Sequence, residues 1–239
     1  MPDWTFDGFG AEFDEHALKH LPHYETAYDV LQHVSTFVVA NGGSIADLGC
    51  STGYSAARIA EAVPGRRFDA WLYDVDASML EQAEARLEHV DVRCHFRALD
   101  LTTDLELLGH TDVDLTLLLW TLQFLPPSSW VPILTAARSR SSQDGLLIVG
   151  AKSRLSDARW QEIADGALAD WKWRHGVTAD EALDKARSLR GTMNVVTVGR
   201  LFDAITAAGW QQPAVIFRWH AWVLLGAWAS PLREVPTAS

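Results

Sequence analysis

The 239-residue sequence is poor in cysteine, in positive charge and in long apolar runs. Only two cysteines occur, Cys50 and Cys94, and neither has a further cysteine or a histidine at metal-ligand spacing, which argues against a disulfide scaffold and against a structural zinc site. No apolar run approaches the roughly 18 residues of a spanning helix. The opening stretch MPDWTFDGFGAEFDEHALKH is acidic and aromatic and has neither the basic start nor the apolar centre of a signal peptide. The expectation is a soluble, cytoplasmic chain without a membrane partner. Lys and Arg total 20 against 31 Asp and Glu, a formal charge of −11 that would repel a phosphate backbone over much of the surface. An extensive nucleic-acid surface is therefore disfavoured, and a small-molecule partner is expected. The sequence contains no internal repeat and no low-complexity segment. The assembly state is left open, a homodimer among the options.

What is present is a hydrophobic content of 48%, enough for one substantial core. From about residue 44 to 150, strand and helix signals alternate. The strands are SIADLG, RFDAWLYD, DVRCHFRA, VDLTLLLW and GLLIVGAK, rich in the residues that strands covered on both faces require. Between them, the run from Ser78 to His89 puts Leu80, Ala83 and Leu87 on one side of a helix, with Asp76 at its N-terminus. After Lys152 three helical segments follow, in DARWQEIADGALADWKWRHG, TADEALDKARSLRG and TVGRLFDAITAAGW, with Gly176 and Gly191 as stops and Thr178 as a cap. PAVIFRWHAWVLLGAWAS then reads as an antiparallel hairpin. The expected fold is α/β: a Rossmann-like, doubly wound, seven-stranded sheet, mostly parallel, with an antiparallel C-terminal hairpin and a helical lid insertion. It forms one domain, with residues 1–43 as an N-terminal helical cap, 44–152 as a cofactor-binding core, 153–210 as the lid and 211–230 as the hairpin.

The most informative stretch is ADLGCSTGYSAARIAEA. A strand carrying Asp47 runs through Gly49, Ser51 and Gly53 into a helix, so the backbone can approach a ligand closely where glycine has no Cβ. Asp74 ends the next strand, about twenty residues on, where a carboxylate can accept both hydroxyl protons of a ribose. Two glycines rather than three fit a dinucleotide poorly and a nucleoside without phosphates better. Asp100, beyond the third strand, adds a polar strand end suited to an exocyclic amine, with Leu101 beside it.

With DLGCSTG, LYDVDASML and ALDL in these positions, the chain resembles the class I S-adenosylmethionine-dependent methyltransferases. FDEHALKHLPHY, TLQFLPPS, DWKWRHG and KARSL extend the resemblance over almost the whole chain, to the carboxy-S-adenosyl-L-methionine synthases, which make a carboxylated cofactor from S-adenosylmethionine and prephenate for modification of a tRNA wobble uridine. The resemblance implies that S-adenosyl-L-methionine is the cofactor and that Tyr24, Asp47, Gly49, Ser51, Gly53, Asp74, Val75, Asp100, Leu101 and Leu119 face it. It also implies that Arg187, in a late helix, binds a carboxylate, with Tyr24 and Trp120 on the acceptor side. Val75 and Leu119 stand where the synthases have asparagines, so polar contacts are lost beside the chemistry. The expected activity is therefore methyl transfer to a small metabolite bearing a carboxylate, a 2-oxo acid or an aromatic acid. The carboxylated-cofactor synthase is the alternative, and a non-catalytic S-adenosylmethionine-binding protein is the third reading. His23, His175 and His220 are candidate general bases, none of them assigned, and Trp160, Trp171, Trp173, Trp219 and Trp222 are candidate walls of an aromatic pocket.

Overall fold

The computed structural model describes residues 13–231. Two helices open it, α1 (Phe13–His20) and α2 (Tyr24–Val38). The alternating region follows as β1 (Ser44–Leu48), α3 (Tyr54–Ala62), β2 (Asp69–Asp74), α4 (Ala77–Leu87), β3 (Arg93–Ala98), β4 (Val113–Leu119), α5 (Pro127–Arg138) and β5 (Ser141–Lys152). Beyond it come α6 (Ala158–Arg174), α7 (Ala179–Ser188), α8 (Val198–Ala207), β6 (Gln211–Trp219) and β7 (Trp222–Trp228). All five expected parallel strands and the hairpin form. Among the described residues no helix is long and apolar enough to cross a membrane.

The seven strands make one sheet in the order β3-β2-β1-β4-β5-β7-β6. β1 to β5 pair in parallel, while β7 runs antiparallel to both β5 and β6. The central strands are apolar on both faces because both faces are covered. On β4, Leu115, Leu117 and Leu119 enter the cluster that holds α2, α3 and α4, while Leu118 points to the opposite cluster with α5 and α8. β5 divides in the same way, Leu146 and Ile148 to one side and Leu147, Val149 and Ala151 to the other. α8 seats Leu201 and Ile205 in the second cluster, beside Trp210, whose indole N–H donates to the carbonyl of Leu134 at 2.9 Å.

The helix ends are set by the capping residues expected of them. Asp76 accepts from the backbone N–H of Ser78 at 2.8 Å and starts α4, which ends at Leu87, two residues short of the expected end. Thr178 and Glu181 form a reciprocal capping box at the start of α7. Gly176 and Gly191 both take positive φ, which is how they end the preceding helices.

The strand order reverses between β1 and β4, so the chain leaves the sheet in opposite directions from these two neighbours. Ligands of open α/β sheets bind in the crevice that this reversal opens beyond the C-terminal strand ends.

Candidate functional site

A cavity of about 1310 Å³ occupies that crevice. It exceeds the roughly 300–1,000 Å³ usual for one small ligand. Its floor is the strand ends, α1 closes one side, and α6 and α7 cover the side beyond β4 and β5. α8, within the expected lid segment, does not border it.

The first half of the cavity is built by the turn after β1. The backbone N–H groups of Gly49 and Cys50 both donate to the carbonyl of Tyr73, at 2.8 and 2.9 Å, and that of Ser51 donates to the carboxylate of Asp74 at 2.8 Å. Ser51 adopts a left-handed conformation, φ 49°, and Gly49 has φ 90° with Thr121 so close that a Cβ would lie 2.4 Å from its hydroxyl. The tight turn thus needs glycine at 49 both for its dihedral and for its neighbour. Gly53 serves a different purpose from the one expected: it does not border the cavity, and a Cβ there would meet Ala83 at 2.9 Å, so this glycine lets α3 pack against α4.

Asp74 borders the cavity, and each of its oxygens already accepts one backbone N–H, from Ser51 and, at 3.0 Å, from Asp76. An ionised carboxylate offers about four lone-pair sites, so two remain for a ligand's hydroxyls. Burial raises its pKa despite those donors. Asp100 is held by the N–H and hydroxyl of Thr102, at 2.8 and 2.7 Å, and Met79, Leu99 and Leu101 line the same cavity as the two acids. Val75 and Leu119 border the same cavity.

Asp47 is buried in β1 and does not reach the cavity surface. Neither of its oxygens completes a hydrogen bond, and although the Ser55 hydroxyl nearby draws its pKa down, desolvation first and the charge of Asp74 push it up to about 7. Tyr24 does face the cavity, and its hydroxyl donates to that of Tyr28 at 3.3 Å, which lies 3.4 Å from the Ser55 hydroxyl. α1 is fastened across the turn through Asp14, which accepts from the Thr52 hydroxyl at 2.9 Å and pairs with Arg86.

The second half differs in sign. Lys152 ends β5, Lys172 lies on α6 and Lys185 on α7, and all three border the cavity. Lys185 donates to Nε2 of His16, while desolvation and the other two lysines lower its pKa to about 7. Desolvation likewise lowers Lys152 and Lys172. The His16 and His20 rings lie tilted with centroids 4.2 Å apart, and burial followed by the charge of Lys185 lowers them to about 4 and about 3. Trp120, with φ 62° at the end of β4, meets Trp222 edge-on at 5.7 Å, and the Lys152 ammonium lies 5.7 Å from the Trp222 ring centre. A left-handed conformation is costly for so bulky a residue and places this indole on the cavity wall.

Arg187 is not brought into this site. Its side chain is 61% exposed and pairs with Asp184 at 3.3 Å. The reason is the helical period: at about 100° per residue, position 187 lies roughly 200° from Lys185, on the opposite face of α7. The three candidate histidines also lie off the cavity. His23 precedes α2 and packs on Trp219 at 5.4 Å, His175 caps α6, and His220 sits in the β6–β7 turn. Of the tryptophans, Trp222 and Trp120 form the wall, whereas Trp160 and Trp173 are 62% and 81% exposed. Sequence reasoning missed the lysines and His16. Lys152 was the legible one, since it ends a parallel strand beside the switch point as Asp74 does; Lys172 and Lys185 look like ordinary surface residues of polar helices.

The comparisons with known proteins point to a methyltransferase. The family described as "Methyltransferase domain" matches residues 45–145, from β1 into β5. Together with the relatives and solved structures below, this match supports a divergent class I S-adenosylmethionine-dependent methyltransferase. It is similar to the carboxy-S-adenosyl-L-methionine synthases of Marinobacter nauticus, at 27% identity over 222 residues covering 90% of this chain and 86% of that one, and of Haemophilus ducreyi, at 24% over 221 residues covering 91% and 89%. Among solved structures it shares its fold with an O-methyltransferase family protein from Burkholderia thailandensis, with a TM-score of 0.63 and 14% identity. That match covers 92% of this chain but only 59% of the other.

Proposed function

We propose that this protein transfers the methyl group of S-adenosylmethionine to a small acidic metabolite. The observation that carries this reading is a single cavity with two unlike halves. Its size leaves room for two molecules, and its acidic strand ends lie on one side of the switch point and its lysines on the other. Asp74 would hold the ribose hydroxyls and Asp100 the adenine amine, while Val75, Leu99 and Leu101 would wall the base. The turn at Gly49 and Ser51 would lie under the methionine portion, with Tyr24 and Leu119 beside it. The fit is supported by the lone pairs that Asp74 retains and by the Cβ-free approach at Gly49. Asp47 would act from beneath, as a buried carboxyl group below the turn.

The cofactor supplies a methyl group already activated by its sulfonium, so the chain's contribution is alignment and exclusion of water. α1, α6 and α7 would close over the acceptor, and Trp120 and Trp222 would form its apolar wall. Lysines, rather than Arg187, would attract its acid group.

A second reading, synthesis of carboxy-S-adenosylmethionine, is favoured by the curated relatives of that name, which match along most of their length. Mass spectrometry of the ligand released from purified protein separates the two. Plain S-adenosylmethionine or its demethylated product supports methyl transfer, and a ligand heavier by one carboxyl group overturns it in favour of the synthase.

A further inference from the structure

The wall beyond β4 and β5 carries hydrogen-bond donors whose partners are missing. Trp120 Nε1 and Trp222 Nε1 are buried without an acceptor, although both residues border the cavity. A buried donor left unpaired costs about 1–3 kcal/mol, so two on one wall point to a ligand that accepts from them. Beside them stand three half-buried ammonium groups, which can only donate. Among the described residues none of the three lysines is in an ion pair. The carboxylates on this side are already engaged: Glu181 accepts from the N–H and hydroxyl of Thr178 at 2.7 and 2.9 Å, and Asp184 pairs with Arg187. Asp165 is near enough to favour the charged form of Lys152 but does not reach it.

Three lysines in one half-buried pocket disfavour one another's charge, a cost that a bound anion would offset. Four elements, β5, α6, α7 and α1, converge to make this arrangement. β5 lies two strands from β1, about 10 Å at the usual strand spacing, on the far side of the switch point from Asp74.

We infer that Lys152, Lys172, Lys185, Trp120 and Trp222 form an anion subsite that takes a doubly negative group of the methyl acceptor, either paired carboxylates or a phosphate ester. This rests on the methyl-transfer reading for the identity of the ligand, and on the wall itself for its charge. Two charges rather than one follow from the count of lysines, with Lys185 already donating to His16. The indole N–H groups would bind oxygens at the edge of the same group.

The subsite is testable without the acceptor, because the indoles of Trp120 and Trp222 would report occupancy by fluorescence. Malonate, inorganic phosphate and acetate are titrated at constant ionic strength into the wild type, Lys172→Met and Lys172→Arg, and S-adenosylmethionine binding is measured calorimetrically on the same samples. The expected result is that malonate or phosphate binds the wild type at least tenfold more tightly than acetate, that Lys172→Met loses this preference, and that Lys172→Arg keeps most of it. S-adenosylmethionine affinity should be the same in all three. Preference for malonate assigns a dicarboxylate, and preference for phosphate a phosphate ester. The subsite is overturned if a wild type competent for S-adenosylmethionine binds neither dianion better than acetate, or if Lys172→Met binds them as the wild type does. A wild type that binds the dianions but not S-adenosylmethionine would leave the subsite standing and remove the methyltransferase reading instead.

Discussion

The two halves of the cavity are built on opposite principles. The strand-end half holds its acids by hydrogen bonds, mostly from backbone: Asp74 is fixed by the N–H groups of Ser51 and Asp76, and Asp100 by the N–H and hydroxyl of Thr102. The helix-covered half holds its bases by the packing of three successive elements, β5, α6 and α7, which bring Lys152, Lys172 and Lys185 to one wall. A site whose acids are already hydrogen-bonded is preorganised before its ligand arrives. One made of converging like charges is completed by it.

The sharpest way to break this contrast is at Asp74. Asp74→Ala removes two hydrogen bonds to a charged acceptor, each worth about 1.5–3 kcal/mol, so S-adenosylmethionine affinity should fall tens-fold or more in calorimetry. An unchanged affinity in a folded variant would detach the ribose from this strand end.

The halves should also differ in how pH acts on stability. Asp47 has its pKa raised from 3.8 to about 7, so the native state holds a proton that the unfolded state releases between those values. Its contribution is present below about pH 4 and is lost as pH rises to about 7, a change of a few kcal/mol. Lys185 is lowered from 10.5 to about 7, so here the unfolded state holds the extra proton, and stability from this group grows as pH rises from about 7 towards 10.5. Denaturation midpoints across pH should show Asp47→Asn flattening the first limb and Lys185→Met the second. The same slopes in variant and wild type would contradict the assignment of these groups.

A smaller effect is expected at the turn. Gly49→Ala forces a Cβ against Thr121 at a positive φ, for a loss of about 1–3 kcal/mol by chemical denaturation. Gly42→Ala, at φ 81° with open space around it, should lose less, and equal losses would mean that the Thr121 contact is immaterial. The smallest effect belongs to Arg187→Leu. As half of an exposed pair it should change stability by no more than about 0.5 kcal/mol and leave malonate and phosphate binding at the wild-type level, whereas a loss of that binding would restore Arg187 to the site.

The same contrast explains what the sequence made legible. Strand ends and capping residues lie within a few positions of the signals that announce them: Gly49 and Ser51 follow β1, Asp74 closes β2, and Thr178 precedes α7 by one residue. The whole sheet, the hairpin included, could be read in this way because its alternating apolar runs are local too. The lysine wall could not, since nothing local distinguishes Lys172 and Lys185 from solvent-facing helix residues. Arg187 is implied by the likeness to the synthases, and two residues on a helix are enough to turn a side chain from the cavity, where Lys185 lies, to the solvent. Trp120 borders the cavity, but its left-handed backbone has no sequence signal.

The central claim is that one cavity receives two ligands side by side, and calorimetric titration of S-adenosylmethionine into the wild-type protein, with and without saturating malonate or phosphate, tests it most directly. The account predicts one-to-one binding in every case, with an affinity that the anion leaves within about threefold or tightens. Absence of binding, or an apparent dissociation constant that rises in proportion to the anion concentration, would contradict it.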